Sequence, residues 1–182
     1  TISSSESLNI CDVSTRWLES IRHTVKESTY SCYLTLIQKH ILTYFNNNSI
    51  ITSEHIQQFI NYKITNGLSP TSVRNIVVLL ERILRYGEDE NLLPVTKRSF
   101  TFPKSSFYIN DTLDASQLSI LARHLYLEGD AFSVGLLLCM HTGIRIGELC
   151  GLKGGDFNFT NETFEIHRTI SRIRNTESTP NH

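Results

Sequence analysis

The chain has 182 residues, 40% of them hydrophobic and 19% charged, which suits one large or two small globular domains and excludes a disordered or fibrous chain. Lys and Arg number 17 against 18 Asp and Glu, a net charge of −1, so bulk charge offers no argument for a nucleic-acid partner and any such argument must rest on motifs. Four dispersed cysteines, Cys11, Cys32, Cys139 and Cys150, form no C-x-x-C pair and read as reduced thiols, two of them as buried small hydrophobes.

Residues 13–22 place Trp17, Leu18 and Ile21 on one side at helical spacing, with Ser14 or Thr15 as the cap. A second helix is predicted from Ser28-Thr29, carrying Tyr30, Tyr33, Leu34, Ile37, Ile41, Leu42 and Phe45 at spacings of three and four up to the breaker Asn46-Asn47-Asn48. The third opens on the capping signal Thr52-Ser53-Glu54, buries Ile56, Phe59, Ile60 and Ile64, and stops at Asn66-Gly67. Ser69-Pro70-Thr71 opens a fourth, with Val73, Ile76, Val77, Leu80, Ile83, Leu84 and Tyr86 on one stripe, fading in Gly87-Glu88-Asp89-Glu90. These four helices form one domain, residues 8–92, as a bundle. Residues 93–112, with Pro94, Lys97, Arg98, Pro103 and Lys104, lack any period and read as a linker.

The second domain, 113–182, restarts with a helix over Asp114–Leu127 facing inward through Leu118, Leu121, Ala122 and Leu125. Gly129-Asp130 caps the next, Ala131–His141, which is apolar nearly all round and therefore expected to be surrounded by core. Its longest apolar run, Val134–Met140, falls far short of the roughly 20 residues of a membrane span. With a Ser-rich start that lacks a signal pattern, the expectation is a cytoplasmic protein with no membrane partner. Thr142-Gly143 then bends the chain into a short helix, Arg145–Leu152, and beyond Gly154-Gly155 the period changes to two. Phe157 and Phe159, a turn at Asn161-Glu162, and a strand from Phe164 to Arg172 make an arginine-rich hairpin. The predicted fold class is mainly α: a four-helix bundle followed by a partial α+β domain with a small antiparallel β-hairpin.

The chemistry concentrates in Leu136–Phe157. An arginine placed after a buried helix and a Thr-Gly bend has its planar fork of donors aimed by rigid backbone, and that fork matches two phosphate oxygens. Glu148, three residues on, shares its helical face and can hold the guanidinium. On spacing alone, however, Arg145 and Glu148 read first as an ordinary surface pair of that spacing, and His141 as a core histidine.

Thr142-Gly143-Ile144-Arg145-Ile146-Gly147-Glu148-Leu149, followed by Gly151-Leu152-Lys153 and Asp156, resembles the first catalytic-arginine box of the tyrosine recombinases, the phage and conjugative-element integrases with their Xer relatives. The bundle resembles their SAM-like core-binding domain, through Leu68-Ser69-Pro70-Thr71-Ser72-Val73 and Asn91-Leu92-Leu93-Pro94, and the hairpin their small catalytic-domain sheet. The resemblance implies site-specific strand exchange on double-stranded DNA through a 3′-phosphotyrosyl intermediate, by a homo-oligomer, a tetramer on paired sites. The covalent intermediate conserves the phosphodiester energy, so neither a metal nor a nucleotide cofactor is implied. Arg145 matches the first catalytic arginine and Glu148 the acid that supports it. The bundle and the catalytic domain would clamp the duplex, with Ser69, Thr71, Ser72, Arg74 and Asn75 as DNA contacts, Thr29 and Lys26 as further ones, and Lys153, Lys97, Arg98 and Lys104 on backbone phosphates. Helix capping is the other reading of Thr71, and a solvated face that of Arg74.

The departures from that pattern are equally specific. All seven tyrosines, Tyr30 to Tyr126, precede Arg145; no His-x-x-Arg or hairpin lysine follows it, Lys153 being the only later lysine. The expectation is a truncated piece that cannot cleave. Residues 1–99 carry 10 Lys and Arg against 9 Asp and Glu, and residues 100–182 carry 7 against 9, so DNA binding is expected to be weak and salt-sensitive. Two other classes remain: a non-catalytic DNA-binding regulator derived from a recombinase, and a helical protein-interaction module.

Overall fold

The computed structural model describes residues 8–45, 50–104 and 111–171, in two units on either side of residues 105–110. The first contains α1 (Ile10–Ile21), α2 (Glu27–Leu36), a π-helical stretch (Ile37–Leu42) that leads into the single turn α3 (Thr43–Phe45), α4 (Ser53–Thr65) and α5 (Pro70–Asp89). The last of these is its axis: Val73, Ile76, Val77, Leu79, Leu80, Ile83 and Leu84 are all buried, so α5 faces neighbours on more than one side, and α1, α4 and the π stretch pack against it. Ser69 caps it as its sequence predicts, Oγ accepting the Ser72 N–H at 3.2 Å, and Pro70 fills a first-turn site where no donor is needed. Thr71 is thus in the helix and is not its cap.

Two helix starts differ from expectation. Helix α1 begins three residues earlier, at Ile10, because Asn9 Oδ1 accepts the N–H groups of Cys11 at 2.9 Å and Asp12 at 3.1 Å. Ser14, expected as the cap, lies inside the helix and returns its hydroxyl to the Ile10 carbonyl at 2.6 Å. Helix α2 starts at Glu27 with no side-chain cap. Ile37 and Ile41 of the π stretch and Phe45 just beyond it are buried at spacings of four. The breaker at Asn46-Asn47-Asn48 lies outside the described residues.

Residues 93–104, expected to be linker, are held on the bundle. Leu93 is buried, and Phe100 and Phe102 pack edge to face, 5.5 Å apart, against the core. Ser99 N–H donates to Ser53 Oγ, and Thr101 N–H to Gln57 Oε1, both at 2.9 Å. Arg98, read from sequence as a phosphate contact, is instead enclosed, its side chain 6% exposed, with Nε 3.0 Å from Glu81 Oε1 and its Nη atoms 2.6 and 3.1 Å from the Glu88 carboxylate. Helix α5 runs on through Gly87, where a Cβ would stand 2.7 Å from Leu93 Cδ1 and 2.9 Å from Val13 Cγ1.

The second unit contains α6 (Ala115–Glu128), α7 (Ala131–Thr142), α8 (Ile146–Gly151), a 3₁₀ turn (Gly154–Asp156) and the strands β1 (Phe157–Asn158) and β2 (Thr163–Phe164). Asp114 and Asp130 cap α6 and α7, and Gly129 and Gly143 end them at φ +62° and +72°, a conformation glycine adopts without a Cβ clash. The strands pair antiparallel, Phe157 opposite Phe164 and Asn158 opposite Thr163. Only these two residues per strand form the ladder; residues 165–171 lie outside any strand and pass beside α8, where Ile170 N–H donates to the Gly147 carbonyl at 2.9 Å. The end of the expected second strand, at Arg172, lies outside the described residues.

Burial in this unit also departs from expectation. Of the inward-facing set on α6, only Leu125 is buried. Helix α7 buries only Ser133, leaving Phe132 72% and Val134 56% exposed, because α6 and α8 are the helices of the unit that pack on it. None of the four cysteines is buried: Cys11, Cys32 and Cys150 fall on outward helix faces and Cys139 is half-buried. Among the described residues no helix is long and apolar enough to cross a membrane.

The stability that Arg98 contributes can be measured directly. Replacing Arg98 with Met leaves two partly buried carboxylates without their cation, and should destabilise the unit by about 2–4 kcal/mol in urea unfolding followed by fluorescence of Trp17, the sole tryptophan. Burial alone would raise the Glu88 pKa, but hydrogen bonds from Arg98 and the Thr96 N–H outweigh it and hold the carboxyl below its ordinary value of 4.5. Its contribution is therefore complete above that pH and is lost as pH falls through the lowered value. The unfolding midpoint should drop on acidification below pH 4.5, and Glu88→Gln should flatten that limb.

Candidate functional site

The Thr142-Gly143 turn is built from local bonds. Thr142 Oγ1 donates to the Leu138 carbonyl at 2.6 Å and accepts the Ile144 N–H at 3.4 Å, while Gly143 N–H caps the Cys139 carbonyl at 2.8 Å. The turn delivers Arg145 to the N-cap of α8 in extended conformation, φ −74° and ψ 147°. Arg145 and Glu148 therefore do not pair across a helix face, as spacing predicts. One carboxylate straddles the residue instead: Oε2 accepts the Arg145 backbone N–H at 2.9 Å and Oε1 accepts Nη1 at 3.2 Å. The Glu148 side chain is 17% exposed and that of Arg145 84% exposed. Backbone and guanidinium donors hold the Glu148 carboxyl below its ordinary range, so it remains an anion at neutral pH. The arginine is steered near its root while its outer donor edge faces solvent, a geometry that suits an external oxyanion.

His141, read as a core histidine, is exposed; its Nδ1 lies 2.8 Å from the Leu137 carbonyl. Lys153 is exposed at the start of the 3₁₀ turn, where its backbone N–H donates to Asp156 Oδ2 at 2.7 Å. The contacts expected at Ser69, Thr71, Ser72, Arg74, Asn75 and Thr29 belong to the first unit.

In that unit Ser69, Thr71, Ser72, Arg74 and Asn75 are exposed together around the first turns of α5, with the Ser69 and Ser72 hydroxyls 2.9 Å apart. Arg74 stacks its guanidinium on the Phe102 ring, 4.2 Å from the centroid, which fixes its direction while leaving the residue exposed. Thr29 lies apart, in the first turn of α2, half-buried, its N–H donating to the Lys26 carbonyl at 2.9 Å. Sequence reading stopped at Asn75 and missed Arg82 and Arg85 farther along α5. Both line a groove of about 540 Å³ with Val77, Val78, Phe100 and Phe102, and Arg82 Nη1 donates to the Tyr33 hydroxyl at 3.1 Å. Their recurrence on the exposed face, eight and eleven residues after Arg74, was the available signal.

Residues 11–64 match the family model for the phage integrase N-terminal SAM-like domain. A protein described as tyrosine recombinase XerC-like, from Caldanaerobacter subterraneus subsp. tengcongensis, is 26% identical over 181 residues, 92% of this chain and 45% of that protein. The fold is similar to that of the Tn1549 transposon integrase solved in complex with circular intermediate DNA, with TM-score 0.69 and 19% identity over 90% of this chain and 55% of that one. A variant of that integrase with another circular intermediate DNA gives TM-score 0.71 at 18% identity, covering 88% of this chain and 52% of its own. The chain thus spans about half the length of these proteins. In sequence and in fold the chain is thus similar to tyrosine recombinases and integrases.

Proposed function

We propose that this chain is the DNA-binding and first catalytic portion of a cytoplasmic site-specific recombinase, one that integrates or excises a mobile element through a 3′-phosphotyrosyl intermediate. The observation that carries the reading is the Arg145–Glu148 arrangement: a carboxylate anchors the arginine at its root, and the 84% exposed guanidinium keeps donors available for a phosphate. In such a reaction a tyrosine oxygen bonds to the scissile phosphorus as the 5′ oxygen leaves, protonated to a hydroxyl. Arg145 neutralises charge on the non-bridging oxygens throughout, and Glu148 holds it in line. The reaction draws on no metal and no nucleotide cofactor, because the phosphotyrosyl bond stores what re-ligation requires.

DNA binding falls to two sets of residues. Ser69, Thr71, Ser72, Arg74 and Asn75 offer hydroxyls, amides and a cation near the start of α5 to backbone phosphates, and Thr29 and Lys153 contribute elsewhere. Residues 8–92 serve as the core-binding domain, joined through 93–112 to 113–182 as part of the catalytic domain. The tyrosine nucleophile, the hairpin lysine and the second arginine box are absent after Arg145, so this chain binds duplex without cutting it. The active assembly is a homo-oligomer on paired sites, a tetramer.

Duplex affinity, measured by fluorescence anisotropy, should fall steeply with salt, by about tenfold or more between 50 and 200 mM. Arg145→Ala should lower the slope of log affinity against log salt by about 1 and weaken binding only a few-fold, whereas Arg74→Ala with Asn75→Ala should weaken it about tenfold. In a polypeptide extended to the length of its relatives, a nicked suicide duplex should trap a covalent adduct that Arg145→Ala abolishes. An undiminished adduct would exclude the role given to Arg145, and an unaltered salt slope would exclude its phosphate contact.

A further inference from the structure

Helix α8 has six residues, too few to hold itself in water, yet it carries Arg145 at its N-cap. We infer that Asp156 and Arg168 form a clasp that positions α8 and, through it, Arg145. The consequence for phosphate binding rests on the function proposed above; the clasp itself does not.

Three donors converge on the Asp156 carboxylate, whose side chain is 8% exposed. Lys153 N–H reaches Oδ2 at 2.7 Å, Arg168 Nη1 the same oxygen at 2.7 Å, and Arg168 Nη2 reaches Oδ1 at 3.1 Å. The same Nη1 donates to the Gly151 carbonyl at 2.9 Å, at the helix end where carbonyls have no intrahelical partner. Two residues on, Ile170 N–H donates to the Gly147 carbonyl at 2.9 Å. The segment is thus bonded to α8 near both ends.

The glycines show how closely it lies. A Cβ on Gly151 would stand 2.6 Å from the Arg168 carbonyl oxygen, and one on Gly147 2.9 Å from that of Ile170. These contacts involve backbone, so no rotamer change relieves them. Glycines four apart put both gaps on one side of α8, and residues 168–170 occupy that side. On the opposite approach Gly135 of α7 admits Leu149, whose Cδ2 would be 3.1 Å from an added Cβ. Helix α8 is therefore held between α7 and the clasped segment. Arg145 and Arg168 are used differently: the fork of Arg168 is taken up by a carboxylate and a carbonyl, while Arg145 stays 84% exposed. Arg168 is a positioning residue, neither a phosphate ligand nor a substitute for the hairpin lysine.

Amide hydrogen exchange by NMR on the whole chain tests this. Arg168→Met should speed exchange roughly tenfold or more at Ile170 and at Glu148 and Leu149, whose N–H groups bond to the Arg145 carbonyl, while α6 and the first turns of α7 keep their protection. Arg168→Lys keeps the charge without the fork and should recover only part of the protection. Gly151→Ala should reproduce the Met result by pushing the segment away with Arg168 intact. Unchanged exchange in α8 in both variants would overturn the clasp. So would equal loss across α6 and α7, which would make Arg168 a general stability residue. Duplex titration of the same samples reads the proposed function separately, since binding indifferent to Arg145→Ala would remove that function and leave the exchange result standing.

Discussion

How many of its donors a guanidinium commits to the protein decides what it can do for anything outside. Arg145 gives one side-chain N–H and its backbone N–H to a single carboxylate; Arg168 gives its Nη atoms to Asp156 and Gly151, and Arg98 its fork to Glu81 and Glu88. The first is 84% exposed and the last 6%. The same side chain, with an acidic partner each time, is thus left open to solvent at Arg145 and engaged by protein acceptors at Arg168 and Arg98, and the number of donors so engaged separates them.

The internal pairs do structural work that apolar burial does not reach. In the first unit, α5 collects a dense core, but the strap after Leu93 has few large apolar groups to bury beyond Phe100 and Phe102. Its attachment depends on Arg98, enclosed against Glu81 and Glu88, and on exposed hydrogen bonds from Ser99 to Ser53 and from Thr101 to Gln57. In the second unit the helices leave much apolar surface exposed, and α8 relies on close backbone approach at two glycines and one ion pair in place of a deep core.

Helix positions were largely legible in the sequence because they rest on local signals: Thr52 and Ser69 as starts, Pro70 in a first turn, Asn66-Gly67 as a stop, Gly129-Asp130 ahead of α7, and stripes at spacings of three and four. The proximity of Arg145 and Glu148 was legible too, though not its form, since the N-cap geometry of Arg145 depends on how Gly143 turns. What spacing could not show was non-local. Arg98 reaches partners 10 and 17 residues away, and Thr101 one 44 away, so a basic, aperiodic stretch read as linker. Nothing local marked Gly147 and Gly151 as contact points, because the Arg168 and Ile170 backbone that approaches them lies far along the chain, and an all-apolar α7 implied more burial than its two neighbouring helices supply.

The distinction between the arginine offered outward and the one held inward is open to direct observation. In a 15N-labelled chain, the Nε–H signals of Arg145 and Arg168 can be followed as a short DNA duplex is added at low salt. A duplex-dependent shift of the Arg145 signal with that of Arg168 unmoved is the predicted result; a stationary Arg145, or equal shifts of both, would contradict the account.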